Sequence, residues 1–215
     1  RLALDRPLLL AEKDAESRSN WQFRQQQPPT DTAPTFPVRQ VVINEAQVIY
    51  RDPAAKIDLG VGIDTVAADE RGGGRVVIDG RGRIGEQEIR LSGDADPLAD
   101  LDDTEKSYAF ELAFDVGSTQ GRIDGTLEEP LRGAGLAAQV HVDVQDAGDF
   151  YQLTGITIPP TPPYVFDGRI VREGEVWRLA PFEAKIGDSD LTGEIAYDPR
   201  GERPKITADL TSRLL

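Results

Sequence analysis

The sequence lacks the residues that many enzyme sites and covalent cross-links require. Its 215 residues include no cysteine and one histidine. This excludes disulfides, thiolate chemistry and cysteine-ligated zinc, and it removes most metal and acid–base schemes. Methionine is also absent, even at position 1, so we expect a segment of a longer or processed chain. Function has to be sought in the pattern of the other residues.

Positive charge and long apolar runs are scarce as well. The chain has 24 Lys and Arg against 38 Asp and Glu, a net charge of −14. Neutralising phosphates needs clustered cations, so we expect no nucleic-acid partner. No apolar run approaches the ~18 residues of a membrane-spanning helix. Because 39% of residues are hydrophobic and 29% charged, we expect a folded chain, and its length fits a single domain over residues 1–215.

Alternation of apolar and polar residues is the dominant pattern. Every even position from 108 to 116 is apolar, and the same spacing recurs from 136 to 144. Period-two spacing is typical of strands that have one apolar face and one polar face. Shorter stretches of the same kind, or of β-rich composition, lie at 38–43, 48–50, 76–78, 89–91, 164–170, 191–197 and 206–210. About a dozen strands are predicted in total.

Glycine and proline punctuate these strands. Turns are predicted at the Asp-Gly pairs 79–80, 124–125 and 167–168, at the glycines 72–74 and at 199–201. The best helix candidate, 146–153, is limited to a turn or two by Gly148 within it and Gly155 after it. The Pro- and Gln-rich segment 24–37 is predicted to be a loop inside the domain. The chain is therefore predicted to be mostly β, a long antiparallel meander with at most one or two short helices.

A sheet with one apolar face has to cover that face. With helices nearly absent, the choices are a sandwich, a barrel, or a long sheet curled so that its apolar face lines a trough. In the first two architectures the apolar face is a core, and in the third it is a site for an apolar ligand. The alternation alone favours a core, because most alternating strands bury one.

Candidate chemical groups are weak in this sequence. Five aspartates could suggest calcium, but the spacing of a calcium loop is missing and a solvated acidic loop explains them: Asp94, Asp96, Asp100, Asp102 and Asp103. His141 falls on the polar face of its strand and is interpreted as a surface residue. Asp188, Ser189 and Asp190 are typical of a turn. We therefore predict no catalytic residue, no metal and no cofactor, although a hydrolase with a carboxylate pair in a cleft stays an open hypothesis.

Several segments spread along the chain carry a family resemblance. They include LDRPLLLAEK at 4–13, SNWQF at 19–23, PVR at 37–39, YRD at 50–52, DFYQL at 149–153, IPPTPPY at 158–164, IGDSDLTG at 186–193 and LTSRL at 210–214. In their order and spacing these segments resemble the AsmA family, and the resemblance covers nearly the whole chain. The family supplies no catalytic residues that could be assigned here.

The resemblance implies a periplasmic segment of an envelope protein that an N-terminal anchor, absent here, holds to the inner membrane. It implies a taco-like sheet with an apolar concave face that binds or conducts phospholipid acyl chains between the inner and outer membranes. The alternative is a structural or scaffold protein that supports outer-membrane assembly through contacts with envelope proteins. On the first hypothesis the lipid groove is lined by Tyr108, Phe110, Leu112, Phe114, Leu136, Val140, Val142, Phe166 and Ile170.

Overall fold

A computed structural model describes residues 2–14, 16, 18–21, 41–66, 74–101, 105–130, 134–145, 162–201 and 203–213. This part of the chain forms fourteen β-strands and one short 3-10 helix, η1. The elements are β1 Leu2–Asp5, β2 Leu8–Glu12, β3 Val41–Asn44, β4 Ala46–Asp52, β5 Ile57–Val66, β6 Arg75–Ile84, β7 Gln87–Ala95, η1 Leu98–Asp100, β8 Tyr108–Val116, β9 Thr119–Leu127, β10 Leu136–Val144, β11 Tyr164–Glu173, β12 Val176–Ile186, β13 Ser189–Asp198 and β14 Lys205–Thr211.

One sheet contains twelve of these strands. Its order runs from β14 to β4 in strict chain order and ends with β2, which pairs parallel to β4. All neighbours from β4 to β14 are antiparallel. The remaining strands, β1 and β3, form a two-stranded parallel sheet. The predicted mostly β fold and antiparallel meander are confirmed, and the taco-like curl stays a prediction.

Strict alternation predicted strand bounds well. The segments 108–116 and 136–144 are strands β8 and β10 with the same limits. Six of the shorter β-rich stretches fall within β4, β6, β7, β11, β13 and β14, and residues 41–43 of the stretch 38–43 fall within β3, while 38–40 lie outside the described residues. The helix candidate 146–153, the loop 24–37 and glycines 72–73 lie outside the described residues.

The turns predicted at Asp-Gly pairs are wrong. Asp79-Gly80, Asp124-Gly125 and Asp167-Gly168 each lie inside a strand. The aspartate of each pair is exposed on one face, while the glycine lies on the other face under a large neighbour or against the adjacent backbone. An added Cβ at Gly80, for example, would lie 3.2 Å from the Cβ of Leu91. Glycine is therefore present in these strands for close packing, and not for turn geometry.

The tight turns lie instead at Gly-X pairs between strands. The hairpin connections β6–β7, β8–β9, β11–β12 and β12–β13 begin with Gly85, Gly117, Gly174 and Gly187, all with φ between 57° and 62°. Backbone with positive φ is the geometry that two-residue hairpin turns require, and glycine adopts it without steric cost. These short turns hold neighbouring strands in a fixed register.

The register collects the apolar side chains on one side of the sheet. Directly opposed residues of antiparallel neighbours point to the same face. Phe114 of β8 opposes Leu91 of β7 and Gly121 of β9, and Gly121 in turn opposes Val142 of β10. We call this side the apolar face and the other the polar face. On β8 the apolar face carries Tyr108, Phe110, Leu112, Phe114 and Val116, and the polar face carries Ala109, Glu111, Ala113 and Asp115.

We expect Gly125→Ala to destabilise the sheet. The added Cβ would meet the carbonyl oxygen of Ala137 and lie 2.6 Å from the Cα of Ala138, so backbone atoms of β10 would have to move. Overpacking of this kind costs about 1–3 kcal/mol in the free energy of unfolding. Urea denaturation followed by circular dichroism measures the loss.

Gly60→Ala is the matched control on the polar face of β5. There the nearest atom to an added Cβ is the carbonyl oxygen of Arg81 at 3.7 Å, an ordinary contact. We expect the free energy of unfolding to stay the same or rise slightly. Equal losses in the two variants would contradict the close packing of β9 against β10.

Candidate functional site

The apolar face is continuous across the sheet. Residues that oppose each other on neighbouring strands form rows that run across the sheet. Two of these rows contain no polar side chain. The first contains Val61, Gly80, Leu91, Phe114, Gly121, Val142, Phe166, Ala184 and Leu191. The second contains Ile63, Ile78, Gly93, Leu112, Ile123, Val140, Gly168, Phe182, Gly193 and Leu210. No charged group interrupts either row.

The dimensions of this face follow from strand geometry. From β5 to β14 the second row crosses ten neighbouring strands, and at about 4.8 Å per spacing this is about 43 Å along the sheet. One acyl layer of a bilayer is about 15 Å thick, half of its hydrocarbon core. The apolar rows are therefore longer than an acyl chain.

All nine residues predicted to line a groove lie on the apolar face. Phe110, Leu112 and Phe114 are in register with Gly125, Ile123 and Gly121 of β9. Val140 and Val142 of β10 oppose Gly168 and Phe166 of β11. Leu136 opposes Arg172, and Ile170 opposes Ala138, so these residues lie on the same face. Eight of the nine keep part of their surface accessible, and the ninth, Tyr108, is buried. Their contact with a ligand stays a prediction.

Tyr108 belongs to a packed cluster at one border of the face. It is 7% exposed and packs with Val76 and Ala95, while Leu98 and Leu101 of the η1 segment lie against the same cluster. Its hydroxyl donates a hydrogen bond to the carbonyl oxygen of Asp96 at 2.6 Å. Burial, with the nearby charges of Asp96 and Asp100, raises the pKa of Tyr108 to about 12. This residue is part of a small local core.

Aromatic rings on the apolar face lie over glycines. A Cβ at Gly121 would collide with the ring of Phe114, and one at Gly168 would lie 2.9 Å from Cζ of Phe166. Phe166 also stacks on Phe182, with ring centroids 5.8 Å apart and planes at 25°. Because glycine has no side chain, each ring lies along the sheet, which gives the face low relief.

Sequence reasoning missed Phe182. Alternation from Trp177 and Leu179 would place Pro181 on the apolar face, but a register shift between Leu179 and Phe182 adds one residue to β12. After this bulge Phe182, Ala184 and Ile186 occupy the apolar face. A proline inside a strand is a signal for such a bulge, because proline cannot donate to the sheet ladder. Pro181 could therefore have indicated the change of phase.

Charged side chains concentrate on the polar face, where they pair across strands. Arg122 pairs with Glu111 at 2.6 Å, Arg75 with Asp94 at 2.7 Å, and His141 Nδ1 with Asp167 Oδ1 at 2.7 Å. The imidazole of His141 is 52% exposed, which confirms the prediction of a surface histidine. Exposed pairs of this kind contribute little to stability. Their effect is to keep this face hydrated.

One buried carboxylate lies at the β4 corner of the apolar face. Asp52 is 4% exposed and accepts hydrogen bonds from the amide of Ala55 at 3.0 Å and from the hydroxyl of Tyr50 at 3.2 Å. Lys13 Nζ lies 3.0 Å from the same carboxylate. The Ala55 amide and Lys13 lower the pKa of Asp52, and Asp52 in turn raises the pKa of Lys13. These bonds satisfy the charge and attach the end of β2 to the sheet.

The aspartates considered for calcium have structural partners. Asp94 is paired with Arg75, and Asp96 accepts the amide of Ala109 at 2.8 Å. Outside this group, Asp190 of β13 accepts the amide of Arg213 at 2.8 Å. In the described ranges, no group of three or more histidine, aspartate or glutamate side chains is placed to hold a metal ion. Asp102 and Asp103 lie outside those ranges.

No helix in the described part of the chain has the length and apolarity needed to cross a membrane.

Comparison with known proteins gives one informative relative. The chain is 24% identical, over an alignment of 241 residues, to "AsmA family protein YhjG" of Escherichia coli (strain K12). The alignment covers 100% of this chain and 35% of that protein, so the chain spans about a third of its relative's length. No family model matches the chain. No solved structure matches it.

We expect Tyr108→Phe to weaken the dependence of stability on alkaline pH. An unfolded tyrosine ionises with a pKa of about 10, whereas burial raises the folded pKa of Tyr108 to about 12. Between these values the unfolded state loses its proton first, so the free energy of unfolding falls as pH rises. Urea denaturation at a series of pH values above about 9 measures this slope.

The variant should also lose about 1 kcal/mol at neutral pH with its hydrogen bond to Asp96. Tyr197→Phe, at a residue that is 39% exposed, is the control and should keep the slope of the wild type. An unchanged slope in Tyr108→Phe would show that the phenol is not buried.

Proposed function

Because this chain is AsmA-like over its whole length, we propose that it is a non-enzymatic segment of an envelope protein that binds or conducts phospholipid acyl chains. The observation that carries the proposal is the continuous apolar face, with two rows of apolar or glycine residues from β5 to β13 and beyond. In the full-length protein the segment would lie in the periplasm, anchored to the inner membrane, and lipid would move between the inner and outer membranes.

The physical basis of the activity is partition. Each buried CH₂ of an acyl chain contributes about 0.8 kcal/mol, so a phospholipid does not cross water freely. A continuous apolar surface lowers that barrier at every step. The rows have no polar side chain that would have to be desolvated as an acyl chain passes.

Curling of the sheet would complete the site. A curled sheet shields acyl chains on its concave side and leaves headgroups in water at the open side. The polar face would then be convex, and its charged pairs, with the net charge of −14, keep it hydrated. The right-handed twist of extended sheets favours curvature of this kind.

The roles of the charged groups support a non-enzymatic function. Asp52 holds Lys13 and the turn after β4, and Asp96 holds the start of β8. His141 is exposed beside Asp167 on the face opposite the apolar rows. These bonds assign the groups to folding and hydration.

A second candidate is a structural or scaffold protein that acts through protein contacts. Both edges of the sheet expose apolar side chains, with Leu8 of β2 at 66% and Ile206 of β14 at 70% exposure. Near the β2 edge, Leu10, Ile49 and Val77 add an apolar patch to the polar face. Exposed strand edges accept a strand from another chain.

Lipid analysis distinguishes the two candidates. The chain is expressed in a Gram-negative periplasm, purified without detergent and examined by native mass spectrometry, with lipids identified after organic extraction. We expect stoichiometric phospholipid on the wild type. We also expect Leu112→Asp and Phe114→Asp to lose it, because a charge on the apolar face would have to be desolvated by the acyl chains.

Ala113→Asp is the matched control, since Ala113 lies between these residues on the polar face of β8. It should retain bound lipid and the unfolding transition of the wild type. A lipid-free, folded wild type would overturn the lipid-binding proposal and favour the scaffold. Loss of cooperative unfolding in the apolar-face variants, with Ala113→Asp unaffected, would mean that the face is a closed core.

A further inference from the structure

One cation lies at the border of the apolar face. Arg172 is near the end of β11, where it opposes Leu136 of β10 and Trp177 of β12. It shares the apolar face with Ile170, which precedes it by two residues. The two side chains are therefore about 6.7 Å apart along the strand. The guanidinium follows directly after the last aliphatic row.

Neighbouring groups orient this guanidinium. Its Cζ lies 5.2 Å from the centroid of the Trp177 ring, a cation–π contact. Its Nε donates a hydrogen bond to the carbonyl oxygen of Gly174, in the β11–β12 turn, at 3.1 Å. Attachments of different kinds therefore restrict the plane of the guanidinium before any ligand binds.

The surroundings resemble the border between hydrocarbon and water. Tyr197 opposes Trp177 in the register and is 39% exposed. Tryptophan and tyrosine favour such borders because one end of each ring system is apolar and the other is polar. Ile170, Leu179 and Ile195 form the adjacent row on the apolar side. Aromatic side chains therefore follow the aliphatic row at this end of the sheet.

Acidic side chains are also present at this end, and one of them is already paired. The guanidinium of Arg200 donates two hydrogen bonds to Asp198, at 2.7 and 2.8 Å, and with the Arg200 amide at 3.0 Å it lowers the pKa of Asp198 to about 2. Glu173 and Glu175 are exposed in and beside the turn. Glu173 follows Arg172 in the strand, so its side chain points to the polar face.

We propose that Arg172 binds the phosphate of a phospholipid whose acyl chains lie on the apolar face. The proposal rests on the function proposed above and adds a headgroup site to it. A planar guanidinium matches phosphate oxygens through two parallel hydrogen bonds. The short distance from Ile170 to Arg172 matches a ligand in which phosphate and hydrocarbon are joined, which favours a lipid over free phosphate.

The test uses two fluorescent ligands with the same acyl chains. One is phosphatidylglycerol and the other is diacylglycerol, each carrying the same fluorophore on an acyl chain, titrated into detergent-free protein. We expect the wild type to bind phosphatidylglycerol more tightly than diacylglycerol. Arg172→Gln should weaken phosphatidylglycerol binding about tenfold, as expected for a lost charge-assisted bond, and leave diacylglycerol binding unchanged.

Arg169→Gln is the matched control, because Arg169 lies on the polar face of the same strand and is exposed. It should change neither affinity. Should Arg172→Gln fail to fold, Trp177→Leu provides a second test, since it removes the supporting ring and keeps an apolar side chain. This variant should weaken phosphatidylglycerol binding selectively, by a smaller factor.

Three results would overturn the headgroup site. Equal weakening of both ligands by Arg172→Gln would assign Arg172 to packing. Equal affinity of the wild type for both ligands would mean that phosphate is not recognised. Inorganic phosphate that alone binds as tightly as the lipid would identify a free-phosphate site. If the wild type binds neither ligand, the result contradicts the proposed lipid-binding function itself, and the headgroup site with it. This outcome can be distinguished from the three above, in which the wild type binds a ligand.

Discussion

In-register pairing of antiparallel strands is the constraint on which the rest of this structure depends. A slip of one residue at any hairpin would move every apolar side chain of a strand to the opposite face. Short turns that begin with glycine, such as Gly117 between β8 and β9, prevent that slip. The bulge in β12 does shift the alternation by one residue, and this shift places Phe182 on the apolar face.

Unbroken period-two alternation was sufficient to predict two strands, β8 and β10, with their bounds and their faces. Residues 108–116 and 136–144 alternate without interruption, so β8 and β10 had no competing interpretation. Asp-Gly pairs were misread because the usual turn signal and the packing role of glycine use the same residues. The packing role of Gly168, under Phe166 and beside Phe182, is visible only once β11 and β12 are aligned. Pairing of distant segments cannot be read from a local pattern.

The candidate site was predictable as a face but not as a set of accessible residues. Tyr108 and Phe110 follow the same alternation, yet Tyr108 is buried with the η1 segment while Phe110 keeps part of its surface accessible. Alternation records which side a residue faces and not what lies above it. Arg172 was overlooked for a related reason, since a charge at the end of an apolar strand resembles an ordinary boundary until Trp177 is placed opposite it.

The glycines of the apolar face bear on the kind of binding it can support. Rings such as Phe114 lie along the sheet over Gly121, so they do not rise as walls between pockets. A surface of low relief offers an acyl chain similar contacts at successive strands, which suits movement along the face better than retention at one place. Selectivity then has to come from the border, where a headgroup can meet a fixed polar group. On the proposed function, affinity for the chains and recognition of the headgroup are separate properties of this sheet.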